Sequence, residues 1–121
     1  MPVSEKIKRI IWSKAAAKCS ICREDLLLDG ESDELTHLVG EVAHIVAEKG
    51  DGPRGKSELT LSQRNNESNL LLLCLEHHKI IDDDPDSYPI DRLTEIKGKH
   101  ESWVSFNLAS HPIWETKLHQ M

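Results

Sequence analysis

Basic charge, aromatic rings and long apolar runs are all scarce in this chain, and each scarcity excludes something. The 15 Lys+Arg residues face 21 Asp+Glu, a formal net charge of −6 over 121 residues. Such a balance argues against a surface that grips nucleic acid by bulk charge. Contact with DNA would have to be local, through a metal ion and a few basic groups, or a larger assembly would have to supply the affinity. Aromatics make up 4%, which offers little for the stacking platforms of single-strand binders. The longest apolar run, Leu70 to Leu75, is strand-sized and falls well short of a membrane span. The opening Met1-Pro-Val-Ser-Glu-Lys has no apolar signal-peptide core, so a cytoplasmic location and no membrane partner are expected.

Cysteine is sparse too. Three cysteines cannot all pair as disulfides, and without a secretory signal a Cys-x2-Cys spacing reads first as metal binding. The hydrophobic fraction of 38% and charged fraction of 30% describe a globular chain, not a disordered one. At this size one domain with a modest core is expected, often stabilised by a metal or a larger partner.

The pattern along the chain predicts an N-terminal helix over residues 1–18. Ser4 can cap it, and Ile7, Ile10, Ile11 and Lys14 recur at helical spacing ahead of Ala15 to Ala17. Asp29 to Asp33 is an acidic turn. Leu35 to Val46 predicts one or two short strands around Gly40. Glu48 to Asn66, with Gly50, Gly52, Pro53 and Gly55, predicts a long surface loop. Ser68 to Leu73 predicts a strand, and Leu75 to Asp83 a short helix stopped before Pro85. Asp91 can cap a last helix to about Phe106, with Leu93, Ile96, His100 and Val104 on one face. Residues 19–84 thus form a core, and 85–121 a C-terminal helix and tail, within one domain.

Two pairs carry metal-ligand spacing: Cys19-Ser-Ile-Cys22 and Cys74-Leu-Glu-His77. Together they supply four soft ligands, the full shell of a structural Zn2+. They use every cysteine and leave His44, Asn69 and His78 over. Hydrolysing a phosphodiester requires a base for water, charge neutralisation at the phosphate and stabilisation of the leaving oxygen. A histidine such as His44 can be the base, because its ordinary pKa lies near neutrality. Asn69, opening the next strand, can orient it, and His78 can hold a Mg2+-class ion. Singly, each has a plainer reading: a packed or surface histidine, a turn asparagine, and a His78 that replaces His77 on zinc.

The string Cys19-x2-Cys22, Glu41-Val-Ala-His44-Ile45, Asp51-Gly52-Pro53-Arg54-Gly55 and Asn69-Leu-Leu-Leu-Leu-Cys74-Leu-Glu-His77-His78-Lys79-Ile-Ile-Asp82 resembles the HNH endonucleases of the ββα-metal (His-Me finger) fold. The resemblance covers about Cys19 to Asp82, and the helix from Tyr88 to Glu101 is also typical of members. It implies an α+β fold in which a β-hairpin and a following helix grip one divalent ion, Mg2+ or Mn2+, at the scissile phosphate of DNA. It implies His44 as general base, Asn69 as its positioner or a metal ligand, and His78 as a metal ligand. Many members carry an aspartate or histidine just before the base, where this chain has Ala43. Glu41, two residues upstream, and Asp82, four residues after His78, are the candidates to complete the shell. A subset of the family reads Ala-His-Ile with a Gly-Pro-Arg loop. Arg54 in that loop is then a candidate phosphate clamp, and Lys79 a candidate DNA-backbone contact.

The expected function is a DNA endonuclease with little sequence preference, the nuclease part of a larger anti-phage or restriction effector, with a regulatory domain and further copies of itself as candidate partners. A non-catalytic zinc module binding nucleic acid or protein is the alternative, and an RNA-cutting toxin a third reading.

Overall fold

The computed structural model describes residues 2–31 and 35–109. Helix α1, Glu5–Lys14, starts where Ser4 leaves helical geometry and its hydroxyl accepts the Ile7 N–H at 3.1 Å. It ends four residues before the expected Lys18. Ala16 and Ala17 take positive φ, 54° and 56°, which turns the chain off the helical path. Their helix propensity is outweighed by a tertiary contact: the His100 ring on the last helix donates to the Ala15 carbonyl at 3.0 Å.

Two small antiparallel sheets follow. β1 (Leu27–Asp29) pairs with β2 (Thr36–Leu38), with Leu27 opposite Leu38, and all six residues are exposed. β1 escaped the sequence reading because so short, solvated a strand carries no alternation. β3 (Gly40–His44) pairs with β4 (Leu70–Cys74), with Gly40 opposite Cys74 and His44 opposite Leu70. β4 is buried along its whole length. Each of its four leucines stabilises the fold by about 1.5–3 kcal/mol through burial. The strand starts two residues later than expected, because Glu67–Asn69 forms a 3-10 turn ahead of it.

Helix α3, Leu75–Asp83, begins on the residue after β4, as predicted. Cys74 is its N-cap, and its Sγ accepts the His77 N–H at 3.3 Å. Helix α4, Ile90–Ala109, buries Leu93, His100 and Val104 and packs Ile96 against the core, which is the face the sequence predicted. The core joins Ile11 of α1, Leu26, Ile45, the β4 leucines, Ile81 of α3 and Leu93 of α4. The fold is therefore mixed α+β. Among the described residues no helix is long and apolar enough to cross a membrane. Pro112 and the tail around it lie outside the described residues.

The expected long surface loop is pinned rather than free. It contains a short helix, α2 (Leu61–Arg64), opened by a Thr60/Gln63 capping box. Arg64 is only 7% exposed. Its guanidinium donates to the carbonyls of Leu59, Ala47, Gly55 and Ser57 at 2.7–3.0 Å. Gly55 is required there: a Cβ would stand 2.5 Å from the Lys49 oxygen and 2.7 Å from that of Gly50.

Candidate functional site

Cys19, Cys22, Cys74 and His77 come together. Their donor atoms all lie within 4.8 Å of one another, the single such group of metal-binding side chains among the described residues. His77 Nδ1 is 3.2 Å from Cys74 Sγ and 4.0 Å from Cys19 Sγ. A tetrahedral zinc with sulfur bonds of about 2.3 Å sets ligand–ligand edges of about 3.8 Å, so the set fits that ion. The knuckle is held against β4, since the Ser20 N–H donates to the Leu72 carbonyl at 2.9 Å. Its turn closes through Arg23 N–H to the Cys19 carbonyl at 2.8 Å, with Arg23 at φ 60°.

The thiols bear on what the cluster needs. Burial pushes the Cys74 thiol up to about 11. Burial also pushes on Cys19, but backbone N–H groups of Cys22, Cys74 and Ile21 outweigh it and bring that thiol below its usual value. Cys22 is raised, chiefly by burial. Backbone donors tip the balance toward the thiolate at Cys19 only, and gathering three thiolates requires a cation to offset their charge.

The second group surrounds the end of β3. His44 turns Nε2 to the Asn65 Oδ1 at 2.7 Å, with Glu48 Oε2 at 3.9 Å from the same nitrogen. Asn69 does not orient this ring as expected. Its amide is buried, accepts from the Val46 N–H at 2.9 Å, and donates to the carbonyls of Val46 and Arg64, each at 2.8 Å. Its backbone carbonyl accepts from Ile45 N–H at 2.9 Å. With the amide committed to backbone, Asn69 holds the chain that follows His44, and its expected place on a catalytic ion is withdrawn. Asn65 was missed; no motif marks it, because it reaches His44 only through the packing of α2.

His78 lies between two acids. Its Nδ1 is 3.5 Å from Glu41 Oε1, and its Nε2 is 3.3 Å from Asp82 Oδ2. Glu41, His78 and Asp82, singled out in sequence, are therefore neighbours, although the two carboxylates meet opposite edges of the ring. The three do not converge on one point; each carboxylate makes its own pair with a ring nitrogen.

Arg54 is corrected from a DNA contact to a structural cation. Its side chain is 4% exposed. It donates Nε to the Ile45 carbonyl and Nη1 to the Ile81 carbonyl, both at 2.7 Å. Nη2 donates to Asp82 Oδ1 at 2.9 Å and lies 3.5 Å from the His44 carbonyl. One guanidinium thus ties the end of β3 to α3, and His44 to the acid beside His78. Buried, and with four of its five N–H donors directed at protein oxygens, this arginine is not placed to clamp a phosphate. Lys79, 77% exposed, pairs with Asp83 at 3.0 Å. No family model and no curated protein matches this chain.

Proposed function

We propose that this protein is a zinc-stabilised HNH endonuclease of the ββα-metal type, hydrolysing phosphodiester bonds of DNA in a metal-dependent way with little sequence preference. The observation that carries the reading is the Arg54 bridge, because it holds the strand ending in His44 against the helix that bears His78 and Asp82. A base and an ion-holding pair, their backbones tied through one buried cation, are what a single scissile phosphate needs.

In this reading His44 takes a proton from the attacking water. His78, through Nε2 and with Asp82, would hold a Mg2+- or Mn2+-class ion, while Glu41 meets the other edge of the ring at Nδ1. When bound, that ion supplies charge neutralisation for the phosphate and the leaving 3′ oxygen. Arg54 fixes Asp82 and leaves its second oxygen toward His78. The cysteine cluster, where zinc would sit, joins the knuckle to the β4–α3 junction and does no chemistry. The acidic net charge of −6 fits a nuclease part whose DNA affinity comes from a larger anti-phage or restriction effector.

The test is plasmid cleavage by zinc-loaded protein with Mg2+, Mn2+ or neither, beside His44→Ala. Cutting that needs the added ion, and falls by about 10²–10⁴ in the variant, is expected. A folded, zinc-loaded wild type that cuts under none of these conditions, with or without a partner, would favour a non-catalytic zinc module.

A further inference from the structure

We infer that Asn65 is the positioning residue for His44, fixing its ring with the hydrogen on Nε2 and leaving Nδ1 as the basic atom; the consequence for cleavage rests on the nuclease reading, the geometry does not. Nε2 faces two oxygens, Asn65 Oδ1 at 2.7 Å and Glu48 Oε2 at 3.9 Å. A carboxylate only accepts, so the environment of this nitrogen favours N–H over a lone pair. The carboxylate also settles which end of the Asn65 amide belongs against the ring, because an NH2 there would leave Nε2 to accept beside an anion. A neutral imidazole carries one N–H, so Nδ1 keeps its lone pair. The side chain is 23% exposed, and the ring retains access to solvent.

Asn65 is itself held from both sides. It is the C-cap of α2, and its N–H donates to the Leu61 carbonyl at 3.1 Å. Arg64, just before it, is anchored by four carbonyls, and the Arg64 carbonyl accepts from the Asn69 amide. The loop that looks like a surface excursion therefore delivers one amide oxygen to the base. In cleavage, Nδ1 takes a proton from water as its oxygen bonds to phosphorus. The bond from phosphorus to the 3′ oxygen breaks, and that oxygen takes a proton from solvent. The ring, now with N–H on both nitrogens, is stabilised by Asn65 and Glu48. The other charged group at this residue, Arg54, meets its backbone carbonyl rather than its ring.

The experiment is ring 15N–1H spectroscopy of histidine-labelled protein at a pH where His44 is neutral, on wild type, Asn65→Ala and Asn65→Asp, with cleavage kinetics beside it. The wild type is expected to give a slowly exchanging Nε2–H for His44, lost in Asn65→Ala and kept in Asn65→Asp. Asn65→Ala should lower kcat about 10- to 100-fold with KM unchanged. Asn65→Asp should restore most of that rate and move the acid limb of the pH–rate profile to higher pH, since a carboxylate favours the imidazolium. A purely structural Asn65 would leave that limb in place and depress both variants alike. An Nδ1–H ring in the wild type overturns the inference, even if Asn65→Ala fails to fold. So does an Asn65→Ala protein with an unchanged spectrum. If the wild type cuts nothing, the nuclease reading falls while the spectrum still decides the inference.

Discussion

His77 and His78 follow one another on α3 and keep opposite company. His77 turns Nδ1 toward two sulfurs, at 3.2 and 4.0 Å. His78 lies between two carboxylates, at 3.5 and 3.3 Å. Successive helix residues point about 100° apart, so adjacent side chains cannot share a site. One helix turn thereby serves a soft donor set on one side and a hard one on the other. In the proposed nuclease the two sides would take different ions, because metals sort by donor softness. The difference teaches that the pair is divided by geometry fixed at the β4–α3 junction, where Cys74 both caps the helix and joins the cluster.

The strongest way to break that division is Cys74→Ala. It removes a cluster donor and the cap of α3 together. Structural zinc in small domains is worth about 10–16 kcal/mol, comparable with the whole stability of a domain, about 5–15 kcal/mol. The variant is expected to bind no zinc and to lose its cooperative thermal transition, read by metal content and circular dichroism. A folded, zinc-loaded Cys74→Ala protein would remove Cys74 from the ligand set. The sharper comparison is between His77→Ala and His78→Ala. The first should lose zinc. The second should keep zinc and fold, and lose cleavage by about 10²-fold or more. The reverse pattern would exchange their roles.

Much of this partition was legible in the sequence. Cys19, Cys22, Cys74 and His77 were readable because tight turns and a single helical turn bring ligands together by local spacing. The contact of His78 with Asp82 was readable for the same reason, period four on a helix, whereas Glu41 reaches His78 only through the pairing of β3 with β4. The fully apolar run Leu70 to Leu73 announced a buried strand. What failed was non-local. Ala15 to Ala17 have high helix propensity, yet the chain turns there because α4 meets it through His100. Arg54 and Arg64 look alike in a loop, and nothing local says that both guanidinia are buried among carbonyls. Asn69 had the right position and a different task, because its amide reaches Val46 rather than the ring. The capping box Thr60-x-x-Gln63 was the one available sign that the long loop holds a helix.

The arginines give the next prediction, smaller than the loss of zinc. Arg64→Met should destabilise the protein by about 3–5 kcal/mol, because it leaves buried carbonyls without donors. Lys79→Ala, at an exposed ion pair, should change stability by no more than about 0.5 kcal/mol. Urea unfolding of both, with zinc saturating, measures the contrast. Equal midpoints would mean that the 45–60 segment is not held by Arg64.

A pH-dependent effect is expected at His100, where α4 meets the end of α1. The ring is buried, stacks on Trp103 at 5.7 Å between centroids, and donates Nε2–H to the Ala15 carbonyl, while Nδ1 has no partner among the described residues. Arg23 lies 4.1 Å over the Trp103 ring. Burial is the largest influence and holds the His100 pKa below its ordinary 6.5; the hydrogen bond to the Ala15 carbonyl is next in size and opposes it, and the smaller effects of Arg23 and Lys18 lower the pKa while that of Glu101 raises it. The unfolded chain therefore binds this proton more readily than the folded one. The stability that the neutral ring contributes is fully present above 6.5, and is lost as pH falls from there through the folded value. Zinc ligands also take up protons on acidification, so the test is a difference. His100→Gln keeps an N–H for Ala15 and cannot titrate. At saturating zinc, the gap in urea midpoint between wild type and His100→Gln should narrow or change sign in the wild type's disfavour as pH falls from about 7.5 to about 5.5. A gap that stays constant would mean that the folded ring protonates as readily as the unfolded one, and that the contact between α1 and α4 does not depend on its charge.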